Sequence, residues 1–243
     1  MNTAVEVSAK PSNPISLFLN LWTSPSATYP ELKPNTRFWY PLLAIMLLQI
    51  GVTVYYSMSV DFAWMMEQTM SAAGRDMSPE QREGMERMQE SMGGTMSAVF
   101  GSIAILIIFP LMFSLLAGYF TVVSSFTADG IRFGQWFGFV CWSATPILFA
   151  TLASFVTILL SNNGQIMQSE LNPLSLNSLI FKLPFGAPGS TFLSSVDLTM
   201  IWSLGLNIIG YRVWTGKSLS FAAVVASAPS IVILSIFGFI SFS

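Results

Sequence analysis

Gly-Ile-Arg-Phe-Gly-Gln-Trp-Phe-Gly-Phe-Val-Cys-Trp-Ser-Ala-Thr-Pro, residues 130–146, governs how the rest of the chain is read. A short polar turn, Thr127-Ala128-Asp129-Gly130, leads into an apolar run that continues to Leu160. A run of that length can cross a bilayer, which needs about 20 apolar residues. Gly130, Gly134 and Gly138 recur every four residues, which predicts one helix face free of side chains. Helices associate in lipid through such faces, so these glycines are candidate packing positions, inside the bundle or between protomers. Trp136 and Trp142 stand near the start of the span and predict anchoring at headgroup level.

Composition agrees with a membrane setting. The chain has 243 residues, 53% hydrophobic and 9% charged. Soluble domains carry about 25% charged residues. The mean hydropathy is +0.63. The expected class is therefore an all-α polytopic membrane protein in contact with the lipid bilayer. A net charge of −2 and the lack of a basic patch argue against nucleic acid as a partner. There is no histidine, which removes the commonest general base and imidazole metal ligands. The one cysteine, Cys141, lies in an apolar run and reads as a small inert side chain. No Gly-rich phosphate loop or metal-ligand cluster is visible, so neither an enzyme nor a cofactor is expected. No cleaved signal peptide or lipidation motif is expected either.

Moving outward, five spans are predicted at about 38–60, 98–126, 133–160, 196–214 and 221–242. The first has 23 residues, about 34 Å as a helix. Residues 1–37 form a polar arm with a short helix, residues 15–22, too short to span; it either lies in the interface or covers the bundle. Ser24-Pro25 ends it, and Pro30 and Pro34 predict an extended segment. Pro110 and Pro146 predict bends in the second and third spans. Residues 61–95 form a polar loop in which Ser78-Pro-Glu-Gln starts a helix running to about Met92. Residues 161–195 form a second loop. With the N-terminus inside, the inner segments hold Lys10, Lys33, Arg37, Arg132, Arg212 and Lys217, and the outer ones Arg75, Arg82, Arg87 and Lys182. The bias predicts a cytoplasmic N-terminus, an outside C-terminus and both long loops outside.

Several stretches, taken in order, resemble the Yip family. Residues 19–26, Leu-Asn-Leu-Trp-Thr-Ser-Pro-Ser, followed by Phe38-Trp-Tyr-Pro-Leu42, are similar to the approach to that family's first helix. Residues 133–146 are similar to the start of its third, and residues 195–210, Ser-Val-Asp-Leu-Thr-Met-Ile-Trp-Ser-Leu-Gly-Leu-Asn-Ile-Ile-Gly, to its fourth. The resemblance covers roughly residues 15–240. It implies a five-span integral membrane protein of the bacterial branch; the short arm points to the bacterial inner membrane, with the early secretory membranes as the alternative for a eukaryotic protein. Eukaryotic members are named for interaction with Rab-type GTPases, have a longer arm and carry Tyr-Gly-Pro before the first helix. Here that place reads Phe38-Trp-Tyr-Pro41, so GTPase binding is doubtful.

Four candidate sites remain. Asp197 is either an intramembrane ion site or part of a helix cap, with Ser194 three residues before it. Thr199, Ser203, Asn207 and Gly210 form one stripe, either a polar pathway or helix–helix glue; Gln49 is a further intramembrane polar residue. Nine of the fourteen methionines lie between Met58 and Met96. Met85, Met88, Met92 and Met96 share a face, either a soft Cu(I) site or an apolar stripe. The acids of the same loop match no calcium spacing. Three function classes follow: a membrane adaptor with a homo-oligomeric or membrane-protein partner, a transport component or subunit of an export system, and, least favoured, an enzyme.

Overall fold

The computed structural model describes residues 13–72, 78–92 and 94–242. Among them the chain is helical, with one isolated backbone bridge between Ser175 and Asp197. In order the helices are α1 (Pro14–Thr23), α2 (Pro25–Leu32), α3 (Trp39–Ser59), α4 (Phe62–Ala72), α5 (Pro79–Met92), α6 (Thr95–Thr127), α7 (Phe133–Ser143), α8 (Ile147–Leu160), α9 (Ser190–Ser195), α10 (Leu198–Thr215) and α11 (Leu219–Phe242). A 3-10 turn at Gln168–Glu170 and a π turn at Asn177–Phe181 lie in the second loop.

Four helical segments are long and apolar enough to cross a membrane: Trp39–Ser59, Thr95–Thr127, Phe133–Leu160 and Leu219–Phe242. The third is α7 and α8 in series, interrupted at Ala144-Thr145-Pro146 where the proline cannot continue the hydrogen-bond ladder. Pro110 sits inside α6, which runs unbroken for 33 residues. The remaining predicted span corresponds to α10. It has 18 residues, about 27 Å long, and includes Asn207 and Arg212, so it falls short of the other four in apolar character.

The connections place two kinds of loop at opposite ends. Lys217 Nζ lies 3.5 Å from Asp129 Oδ1, which brings the α6–α7 and α10–α11 turns together. Lys33 Nζ donates to the Trp214 carbonyl at 2.5 Å, adding the segment after α2 to that end. At the far end the Asp61 N–H donates to Gly164 O (3.1 Å) and the Gly189 N–H to Ser241 O (2.8 Å), joining both long loops and the end of α11. There α5 begins with the predicted cap: the Gln81 N–H donates to Ser78 Oγ and the Ser78 N–H to Gln81 Oε1. Glu83 and Arg87, one helical turn apart on α5, pair at 2.5 Å, and Arg82 pairs with Glu67 of α4.

Two expectations about the arm and its partners need correction. Residues 25–32 are helical, not extended. Pro25 occupies the first turn, where its missing N–H costs little, and Tyr29 and Leu32 are buried against the bundle, which outweighs the local bias of Pro30. Trp136 and Trp142 are not headgroup anchors. Both are fully buried in an aromatic core with Phe120, Phe139, Tyr211 and Trp214. Trp136 stacks on Phe120 (5.0 Å) and on Tyr211 (5.5 Å). Buried indoles retain a hydrogen-bond partner. Trp136 donates to Ser124 Oγ at 2.9 Å, Trp142 to Thr36 O at 2.5 Å and Trp214 to Tyr29 O at 2.8 Å.

By contrast the long helices show apolar side chains outward. Phe100, Ile107, Leu111, Leu115 and Val122 of α6 are exposed, as are Val224, Ile231, Ile236 and Phe239 of α11. In a bilayer those faces meet acyl chains.

Candidate functional site

The glycine face is redistributed by the structure. Gly130 lies outside α7, in the turn, with φ +68°, a conformation that suits glycine and removes it from the helix face. Gly134 is in α7 and faces open space: a Cβ there would meet nothing within 4 Å. Gly138 is packed tightly, since a Cβ there would stand 2.2 Å from Thr36 Cβ and 2.3 Å from its Oγ1. The predicted ladder is therefore one interior contact, one open position and one turn residue. Two glycines within the long helices, outside it, also approach a neighbouring element closely. A Cβ at Gly210 of α10 would lie 2.5 Å from the Tyr29 and Phe139 rings, and one at Gly101 of α6 would lie 2.7 Å from Thr53 Cγ2 of α3. The spacing of the sequence shows which glycines share a face but not which face meets a neighbour.

α1 and α2 form a hairpin packed on α7, α8 and α10. Leu17 and Leu21 of α1 and Tyr29 and Leu32 of α2 belong to the main core. Trp22 Nε1 donates to Thr145 Oγ1 at 2.9 Å, and its ring lies 4.7 Å from Phe149 and 6.4 Å from Trp202. Tyr29 Oη and Ser143 Oγ are 2.7 Å apart. Gln135 Nε2 donates to Lys33 O at 3.0 Å. Sequence reasoning left α1 between an interfacial helix and a cover; these contacts seat it on the bundle. Tyr29 is not singled out by the sequence; Trp22 reads there as the end of an interfacial helix and Lys33 as a basic residue of an inner segment. The signal available was the apolar spacing of Leu17, Leu21 and Trp22.

Asp197 caps α10. Its Oδ1 accepts from the Met200 N–H (2.8 Å) and from Thr199 Oγ1 (2.7 Å), and its Oδ2 accepts from Asn172 Nδ2 at 2.6 Å. The carboxylate is 9% exposed and placed at the positive end of the helix dipole. The cap residue is Asp197 itself and not Ser194, which lies in α9 with its Oγ buried and unpartnered. Further along α10, Asn207 Nδ2 donates to Ser203 O at 2.9 Å, while Asn207 Oδ1 is buried without a partner. Gln49 of α3 is half-buried. Asp197, Ser203 and Asn207 thus share one helix, whereas Gln49 stands on another.

The methionine face falls largely outside the described side chains. The backbone of α5 is helical over Met85, Met88 and Met92, but those three side chains are not described. Met96 opens α6 and is exposed. At the opposite end, Asp129 is almost wholly buried and accepts from Thr127 Oγ1 as well as facing Lys217. Cys141 is buried beside Leu42 and Met46.

The Yip1 domain matches residues 19–240. Membrane protein YknW of Bacillus subtilis (strain 168) is 26% identical over 220 residues, which cover 90% of this chain and 87% of that protein. No solved structure matches the chain.

Proposed function

The chain belongs to the Yip1 domain family, and on that premise we propose that it is a non-enzymatic membrane adaptor, organising a partner through helix packing. The observation that carries this reading is the use made of the polar side chains inside the bundle. Both oxygens of Asp197 are taken up by a helix cap and by Asn172, and the core indoles are each paired to a neighbouring element. Groups held in this way fix geometry. The uncovered apolar faces of α6 and α11 and the open Gly134 are then where lipid or a second membrane helix is met.

α10 is the fifth span in this reading. It is shorter and more polar than the others because α2, α7 and α11 surround it. The end that gathers Lys33, Arg37, Arg132, Arg212 and Lys217 is cytoplasmic by the positive-inside rule, with the C-terminus and both long loops outside. The matched Bacillus protein supports a bacterial cell membrane as the location.

A gentle purification of tagged protein in native lipid, with mass spectrometry of what accompanies it, tests the proposal. A reproducible partner or homo-oligomer, lost on Gly134→Leu while the thermal midpoint is kept, is the expected result. Lone monomer under several lipid conditions would overturn it. One observation favours a second reading, a transport component: the unpartnered Asn207 Oδ1 could face a solute. That reading requires Asn207→Leu to abolish flux at unchanged protein level.

A further inference from the structure

The contacts of the α1–α2 hairpin measure how deep it goes. Lys33 meets Gln135 and Trp214, both within two residues of the helix ends at the basic side. Tyr29 meets Ser143 and Gly210, further along the same two helices. Phe18 stacks on Trp142, nine residues into α7, about 14 Å from its start. Trp22 meets Trp202, thirteen residues from the end of α10 and so about 20 Å from it. It also meets Phe149, a similar distance along α7 and α8. α1 therefore runs inward from the basic end, the chain turns at Ser24, and α2 runs back out. In a hydrocarbon core about 30 Å thick, the turn lies about two-thirds of the way across.

The outward surface of this hairpin is not uniform. Ile15 and Leu19 are exposed and apolar. Beside them Asn13, Ser16, Asn20 and Ser24 follow one another at helical spacing, and Ser26 continues the line beyond the turn. Asn13, Asn20, Ser24 and Ser26 are exposed and Ser16 is half-buried. The backbone adds to the polarity. Pro30 has no N–H to offer the carbonyl of the exposed Ser26. Irregular backbone at membrane depth is tolerated only where protein covers it or water reaches it.

We propose that the α1–α2 hairpin is re-entrant and that its Asn13–Ser16–Asn20–Ser24 face lines a water-filled vestibule, open at the basic end and closed about two-thirds of the way across the bilayer core. The proposal rests on the membrane placement given above. Water is favoured over a second copy of the chain because the polar line is continuous from the mouth to the tip. It also offers no charged group for a partner to pair.

The test starts from a Cys141→Ala chain, which has no other thiol. Asn20→Cys, Ser24→Cys and Ser26→Cys are made singly, with Ile236→Cys on the outward face of α11 as a lipid control. A charged, membrane-impermeant methanethiosulfonate is applied to vesicles of each orientation. Thiolate chemistry needs water, so Ser24→Cys should react at least roughly tenfold faster than Ile236→Cys, from the basic side only. In parallel, Trp22→Cys with Thr145→Cys should be joined by a short bifunctional thiol reagent in the intact membrane. Cross-linking without labelling of Ser24→Cys or Ser26→Cys would overturn the vestibule and leave a face covered by protein. Labelling without cross-linking would overturn the insertion. Labelling from the other side with cross-linking would overturn the proposed orientation and not the hairpin.

Discussion

Gly138→Ala tests whether the hairpin's return segment is locked to α7. A methyl group there would approach Thr36 Cβ to 2.2 Å, Oγ1 to 2.3 Å and Cγ2 to 2.7 Å. Cβ, the nearest of these atoms, cannot be rotated away, because the Thr36 carbonyl is held at 2.5 Å by Trp142 Nε1. Overpacking of this kind costs about 1–3 kcal/mol, and the upper part applies where the neighbour is anchored. Loss of the indole bond adds about 1 kcal/mol. Alanine in place of glycine inside a helix returns about 1 kcal/mol. The net loss is then about 2–3 kcal/mol, a fall in thermal midpoint of roughly 4–12 °C for a chain of this length. Gly134→Ala, four residues earlier on the same helix, meets open space and should leave the midpoint unchanged or slightly raised. Tryptophan fluorescence during heating in one detergent reads both, and Thr36→Gly should restore the Gly138→Ala chain. Equal midpoints for the two alanine variants would refute the packing argument.

Other substitutions separate structural from functional roles. Asp197→Ala should cost about 2 kcal/mol, through the lost cap and the stranded Asn172 amide, and Asp197→Ser should recover part of it; an unchanged midpoint would return Asp197 to the list of ligand sites. Lys217→Met should cost about 1–2 kcal/mol, because it leaves the buried Asp129 unpaired beside a half-exposed partner, and adding Asp129→Asn should relieve the loss; additive costs in a double-mutant cycle would count against coupling of the two turns. Trp214→Phe should lower stability by about 1 kcal/mol by removing one of the two donors to the Tyr29 carbonyl, the Lys33 N–H being the other, and a stabilised variant would contradict the assigned bond. Replacing Met85, Met88, Met92 and Met96 together by leucine should not alter Cu(I) binding in a competition titration with a chelator; loss of a stoichiometric site would restore the copper reading.

The spans were legible because a bilayer imposes one simple rule on sequence, a long apolar run, and α3, α6 and α11 obey it without interruption. The start of α5 was legible because Ser78 and Gln81 satisfy each other locally. What the sequence concealed depends on contacts between distant residues. The prolines at 25 and 30 argue for extended chain, and only the burial of Tyr29 and Leu32 explains why that segment coils. Trp136 and Trp142 look like interface markers until the small groups that bind their N–H, Ser124 and the Thr36 carbonyl, are brought to them by folding. Asp197 was legible as a residue of interest, but its meaning lay in Asn172, 25 positions earlier across a loop.

The hairpin also bears on the order in which the molecule can be made. Its anchors arrive late: Thr145 is 123 positions after Trp22, and Trp214 is 185 after Tyr29. At about 5–20 residues per second of synthesis, α1 and α2 wait for roughly ten seconds or more before their seats exist. Ribosomes therefore deliver a chain whose first helices must stay outside the membrane core, kept wettable by the same serines and asparagines, and enter last.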